Sequence, residues 1–287
     1  MSEKIDYDKL RRFSADIRIA TINALANFGF GHIGGSMSIV DMLAVLYGGF
    51  MKIDPNDPAW DERDWFVLSK GHCGPALYAA LAVRGYYPVE MLKTLNQLGT
   101  RLPSHVDRLK TPGVDMTAGS LGQGISAALG IALGLKMQGK DNTVFCIIGD
   151  GESQEGQVWE AVQSAAHQKA DNFIVLVDDN KKQIDGNTCD INDPLDFVEK
   201  FQAFGWDAFR TDGHDVEKLY AALARAKASK GKPTAIICDT IKGLGADFAE
   251  RASFNHYMNI DSQMAAVAVE EIEARLAAGT YPGGDLR

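Results

Sequence analysis

The chain has 287 residues, of which 46% are hydrophobic and 23% charged, a globular balance that excludes disorder or low complexity over most of its length. Its 29 Lys and Arg stand against 38 Asp and Glu, a net charge of -9 with no long basic run, which argues against nucleic acid or an anionic membrane as the main partner. A small anionic ligand remains open, because a metal ion or a helix N-terminus supplies local positive potential inside an acidic protein.

The N-terminal stretch is charged from its third residue and carries no apolar signal region. No run approaches the ~18 apolar residues needed to span a bilayer. Helical periodicity over 7–29 stops at Gly29-Phe30-Gly31, and Ser38-Ile39-Val40-Asp41 has capping-box spacing ahead of the apolar MLAVLYGGF. Residues 55–63 read as loop. Beyond them, short β-branched or aromatic runs at 64–69, 143–149, 173–178, 207–211 and 234–240 predict strands. Helices are expected at 74–85, 88–97, 121–138, 154–169, 194–204, 215–229 and 261–279. Nearly continuous apolar strands separated by helices predict an α/β fold, a doubly wound parallel sheet with helices on both faces. No Pro/Ser-rich linker or internal repeat divides the chain, so residues 1–287 are expected to form one domain. The scattered cysteines, Cys73, Cys146, Cys189 and Cys238, lack C-x-x-C spacing, which fits a reducing, cytoplasmic compartment.

In an open parallel sheet, ligands bind beyond the carboxyl ends of the strands. Strand 143–149 runs into Gly149-Asp150-Gly151-Glu152, and strand 173–178 into Asp178-Asp179-Asn180. If these strands are neighbours, their ends lie ~5 Å apart, and Asp150 and Asn180 offer the hard oxygen donors that Mg²⁺ or Ca²⁺ prefers. A backbone carbonyl near Lys182, a water and two diphosphate oxygens would complete the shell. The competing reading has Asp150 cap helix 154–169 and Asp178–Asn180 form a turn; glycines on both sides of Asp150, with an amide at the next strand end, favour the metal.

Thr117-Ala118-Gly119-Ser120-Leu121-Gly122-Gln123-Gly124 leads into an apolar helix, a spacing that lets backbone approach a ligand but does not complete a dinucleotide fingerprint. His32, His72, His105 and His256 fall in loops without zinc-site spacing, and suit a polar pocket that moves protons near neutral pH. His167 and His214 read as solvated surface residues.

Together GDGESQEGQVWEA…VLVDDN, LSKGH, TPGVDMTAGSLGQG and TIKGLG…FNHY resemble, in order, the cofactor-binding blocks of the N-terminal half of transketolases, over about residues 10–260. The resemblance implies a thiamine-diphosphate-binding fold with thiamine diphosphate and Mg²⁺ (or Ca²⁺) as cofactors. It assigns Asp150, Asn180 and the Lys182 carbonyl to the metal. Gly151, Glu152, His72 and His256 fall to the cofactor, Gly119 and Leu121 to the aminopyrimidine, and Ile184 with Leu121 to the rings. His32, His105 and His256 fall to catalysis on the sugar, while Glu155 and Glu160 match acidic positions near a subunit interface.

Ile33 and Ser120 replace two usual prolines, Asn255-His256-Tyr257 stands where Trp-His-Gly is common, and Lys182 replaces an apolar residue. Set against a full transketolase, the chain resembles the N-terminal subunit of a split enzyme. A partner chain would then carry the pyrimidine-binding and C-terminal domains, and a dimer of heterodimers would transfer a two-carbon ketol unit between sugar phosphates. The alternatives are the α subunit of a 2-oxoacid dehydrogenase and a non-catalytic thiamine-diphosphate-binding regulatory subunit.

Overall fold

The computed structural model describes residues 5–282; residues 1–4 and 283–287 of the expected unit lie outside the described residues. In chain order, helix α1 (Tyr7–Phe28), strand β1 (Phe30–Gly31), α2 (Ile33–Ser38) and α3 (Val40–Val45) precede β2 (Trp65–Leu68) and α4 (Gly74–Arg84). Then come α5 (Gln123–Met137), β3 (Val144–Gly149), α6 (Gly156–His167), β4 (Phe173–Asp179), α7 (Thr188–Asn192), α8 (Phe197–Ala203) and β5 (Asp207–Asp212). The order closes with α9 (Val216–Ala228), β6 (Thr234–Asp239), α10 (Asp247–Glu250), β7 (Met258–Asn259) and α11 (Ser262–Ala277).

Five strands form one parallel sheet in the order β2-β3-β4-β6-β5. Successive strand residues point to opposite faces, and each face has its own core. Phe145, Ile147, Ile174, Leu176 and Ile236 face α1, α3, α4 and α9. Val144, Cys146, Ile148, Val175 and Ile237 face α5, α6 and α8. Both faces are dry, which is why β3 and β4 read as unbroken apolar runs rather than alternating ones. The doubly wound sheet expected from the sequence is therefore present. Among the described residues, no helix is long and apolar enough to cross a membrane.

Several local expectations change. Ser38 caps nothing: it ends α2, and its Oγ donates to the Gly35 carbonyl (3.1 Å) and Asp178 Oδ2 (2.7 Å). Asp41, the other end of the expected capping box, is fully buried against Arg18. Tertiary pairing overrides the local motif. The expected helix at 88–97 is only a 3₁₀ turn, Val89–Thr94. Asn27 Nδ2 (2.7 Å) and Gln97 Nε2 (2.8 Å) take up the Lys93 carbonyl, and Asn96 turns to φ 58. At the head of α8, Leu195 has φ 56 and Asp196 accepts from Glu199 N (3.0 Å), so the helix starts later than its apolar pattern.

Candidate active site

The carboxyl ends of β2, β3, β4 and β6 open into a cavity of ≈ 760 Å³. Its wall brings together every sequence-predicted site residue. His32, His72, His105 and His256 cluster in it. Asp150, Gly151, Glu152, Asn180 and Lys182 lie at the strand ends, with Gly119, Leu121 and Ile184 completing the wall.

The two strand ends are neighbours: β3 and β4 pair in parallel with Gly149 opposite Asp178. Asp150 does not cap α6. Its carboxylate accepts from Gly151 N (2.7 Å) and Lys181 N (2.6 Å), which ties the β3 exit to the β4 exit. Burial, then the Asp178 charge, pushes its carboxyl up to about 7. This is a buried acid short of positive charge.

Asp178 is the hub beneath it. It accepts from Lys70 Nζ (2.5 Å), Ser38 Oγ (2.7 Å), Thr240 Oγ1 (2.5 Å) and Asn180 Nδ2 (2.7 Å). With its amide nitrogen committed there, Asn180 keeps its oxygen as the acceptor, placed 3.1 Å from Lys182 N. Burial alone would depress the Lys70 ammonium, but Asp178 holds it above the ordinary lysine range.

Glu152 is buried and its carboxylate is spent on the protein: Ser69 Oγ (2.5 Å), Gly122 N (2.9 Å) and Gly149 N (3.0 Å) all donate to it. It thereby locks the glycine loop to two strand ends. The glycines serve the same contact, since a Cβ on Gly124 would meet Ser69 Cα at 2.5 Å and one on Gly71 would meet the Ala118 carbonyl oxygen at 2.0 Å. Neither position has room for a side chain.

The imidazoles cluster closely, in tilted and edge-to-face contacts. The His32 ring centre lies 5.3 Å from His72, 5.5 Å from His105 and 5.2 Å from His256. Burial, then neighbouring positive groups, lowers His32 to about 4 and His256 to about 3. His72 is lowered too, as is His105 through burial. All four are neutral at pH 7, so each carries a ring N–H donor and a lone-pair acceptor.

Sequence reasoning missed two lysines of this wall. Lys70 and Lys242 stand just past the ends of β2 and β6, and that position was the only available signal. Lys242 Nζ donates to the carbonyls of Lys182 (3.0 Å) and Gln183 (3.3 Å). Burial lowers it to about 8, and among the described residues no carboxylate lies within ion-pair distance of it. His214 needs correction: it is 6% exposed, not solvated, and its Nδ1 lies 2.9 Å from Asp41 Oδ2. His167 is exposed as expected.

Known proteins share this architecture. The family profile described as the thiamine diphosphate binding domain of transketolase matches residues 10–274. The 6-deoxy-6-sulfo-D-fructose transketolase subunit SqwG of Clostridium sp. (strain MSTE9) is 52% identical, over 90% of this chain and 94% of that protein. An apulose-4-phosphate transketolase subunit from Actinobacillus succinogenes is 37% identical, over 94% and 98% respectively. The crystal structure of transketolase from Campylobacter jejuni superposes with TM-score 0.86 at 30% identity, covering 99% of this chain but 44% of that one. The chain thus spans less than half of the solved transketolase. Profile, relatives and fold agree, and the chain belongs to the transketolase family, in which it corresponds to the thiamine-diphosphate-binding domain.

Proposed function

We propose that this chain is the cofactor-binding subunit of a two-chain transketolase, in which a partner chain supplies the pyrimidine-binding and C-terminal domains. Relatives described as subunits are matched over 94% and 98% of their length, whereas the chain of the solved transketolase is matched over 44%. A single unit spanning residues 1–287 fits those proportions. The observation that carries the reading is that one cavity is lined by the Asp150–Asn180 pair and by four clustered imidazoles.

The donor set suits Mg²⁺ or Ca²⁺. Among the described residues no three His, Cys, Asp or Glu side chains cluster as a metal site, but the proposed set needs only one carboxylate. Asp150 is buried and uncompensated, Asn180 presents its amide oxygen, and the Lys182 carbonyl faces the Lys242 ammonium. A divalent ion bound there would relieve the strain on Asp150 and leave Lys242 free for diphosphate oxygens.

Bound thiamine diphosphate supplies an electron sink for cleavage of a ketose carbon–carbon bond. This chain's part is to fix the diphosphate through Gly151, His72, His256 and the metal set, and to seat the rings on Gly119, Leu121 and Ile184. His32 and His105, neutral and facing inward, hydrogen-bond the sugar carbonyl and hydroxyls and move their protons. Glu152 acts at one remove, by holding the glycine loop that the cofactor contacts.

The substrates are a ketose with an anionic terminus, the type named for the relatives described above, and an aldose acceptor, and not nucleic acid or membrane. Assembly as a dimer of heterodimers is supported by α5. That helix is apolar on nearly all sides, and a Cβ at Gly130 or Gly134 would meet nothing within 4 Å. Free thiols at Cys73, Cys146, Cys189 and Cys238 support a cytoplasmic location.

The test is reconstitution of the chain with its partner, assayed for ketol transfer from xylulose 5-phosphate and from 6-deoxy-6-sulfofructose to an aldose phosphate. Transfer by the pair and none by either chain is expected. Tight cofactor binding without turnover of any ketose would replace the enzyme with a regulatory subunit.

A further inference from the structure

The loop that delivers Lys242 to the cavity is gripped from behind by a buried trio, Arg18, Asp41 and His214. Among the described residues, none of the three lines the cavity. Arg18 and Asp41 are wholly buried and pair through Nη2 and Oδ2 at 2.7 Å. The pair's two ends reach opposite sides of Lys242. Arg18 Nε donates to the Leu244 carbonyl (3.1 Å), and Asp41 Oδ2 accepts from His214 Nδ1 (2.9 Å). His214 Nε2 then accepts the backbone N–H of Ile241 at 2.8 Å.

That last bond fixes the chemistry of the ring. A backbone N–H can only donate, so Nε2 must present its lone pair and Nδ1 must carry the proton given to Asp41. The charges of Arg18 and Asp41 cancel, and a neutral imidazole adds none, so the trio holds no net buried charge. Two more bonds brace the same segment from the site side: Asn255 Nδ2 donates to the Lys242 carbonyl (2.8 Å), and Gly243 N donates to the Gly34 carbonyl (3.0 Å). Lys242 is thus held on both sides by main-chain contacts whose far anchors lie on α1, α3 and the β5–α9 turn.

We infer that His214 is a positioning residue: by accepting the Ile241 N–H it sets the backbone that aims the Lys242 ammonium at the diphosphate end of the cavity. The inference rests on the reading of the cavity as a thiamine diphosphate site. It adds that cofactor affinity depends on a residue outside the cavity, acting through the lysine.

Two variants separate the bonds of the ring. His214→Asn keeps a donor where Nδ1 lies and loses the acceptor for Ile241; His214→Gln keeps an acceptor near Nε2 and loses the donor to Asp41. Thiamine diphosphate is titrated calorimetrically in Mg²⁺ into the chain reconstituted with its partner, for wild type, the His214→Gln, His214→Asn and Lys242→Met variants and the Asn/Met double variant, with thermal unfolding run alongside. Expected is a loss of affinity of about tenfold in His214→Asn, the scale of one lost buried hydrogen bond, and a much smaller loss in His214→Gln. In the Lys242→Met background, His214→Asn should change affinity by less than about twofold, because coupled residues do not add. Losses that multiply, affinity that follows thermal stability in both His214 variants, or wild-type affinity in His214→Asn would each overturn the inference. A wild-type chain that binds no thiamine diphosphate even when paired with its partner overturns the functional reading itself, and this inference with it.

Discussion

Replacing Asp150 with Asn should stabilise the metal-free chain while abolishing its metal-dependent cofactor binding. The carboxyl group is raised from 3.8 to about 7 by burial and by Asp178. Three units at ~1.4 kcal/mol each put the ionised form on the order of 4 kcal/mol uphill in the fold. The sign follows from proton linkage: between pH 4 and about 7 the folded chain holds a proton that the unfolded chain releases, so stability falls as pH rises through that window and stays low above it. Asparagine removes the charge but has one oxygen for the two N–H donors of Gly151 and Lys181, a loss of about 1–2 kcal/mol. The net gain is about 2 kcal/mol at pH 8, or ~5 °C in Tm. Thermal unfolding in chelator should show the variant above wild type at pH 8 and at or below it at pH 4. The comparison isolates Asp150 from the histidines, whose lowered values act with opposite sign over the same window. Adding Mg²⁺ and thiamine diphosphate should raise the wild-type Tm and leave the variant where it was. A variant less stable than wild type at pH 8, or one that still gains from metal and cofactor, would refute the reasoning.

Asp178→Ala strands the buried Lys70 ammonium and leaves Ser38, Thr240 and Asn180 without their acceptor, so urea unfolding should show a loss of about 3–5 kcal/mol; less than 1 kcal/mol would mean that Asp178 is no hub. Gly71→Ala drives a Cβ to 2.0 Å from the Ala118 carbonyl oxygen. It should cost about 1–3 kcal/mol and weaken thiamine diphosphate binding by shifting the glycine loop, both read from one calorimetric and one unfolding experiment. In ¹⁵N spectra of the ligand-free chain at pH 5.5, His32 and His256 should be neutral, since they protonate only near about 4 and about 3. Their burial means that the unfolded chain takes up protons first, so these two residues erode stability as pH falls below 6.5. A midpoint near 6.5 for either ring would contradict the closed geometry.

The sheet is legible in the sequence because β2, β3, β4 and β6 are dry on both faces, which leaves apolar runs whose shortness and β-branched or aromatic content mark them as strands. The strand exits are legible for the same reason: Asp150 and the Asp178-Asp179-Asn180 stretch are the abrupt polar ends of such runs. By contrast β1 and β7, two residues each, have no periodicity to read, and their pairing of Phe30 with Asn259 depends on residues far apart in the chain. Ser38 and Asp41 mislead because a capping-box spacing is local, while their partners, Asp178 and Arg18, arrive from other elements.

The same limit governs the charges of the site, and it explains why they were the harder half to read. A buried ion is intelligible only with its counter-ion, and here Lys70 meets Asp178 across 108 positions while Lys242 reaches the Lys182 carbonyl across 60. What remains after every internal pairing is informative. Asp150 is an acid raised to about 7, and Lys242 a base lowered to about 8, on one cavity wall. If the two simply required each other, an ion pair would return both toward their ordinary values; instead Lys242 turns to backbone carbonyls and Asp150 to backbone N–H groups. Each therefore lacks a partner of opposite sign. A single anion would ease Lys242 and burden Asp150 further, and a single cation would do the reverse. Only a ligand carrying both signs relieves the two together, and a divalent ion chelated by a diphosphate is such a ligand.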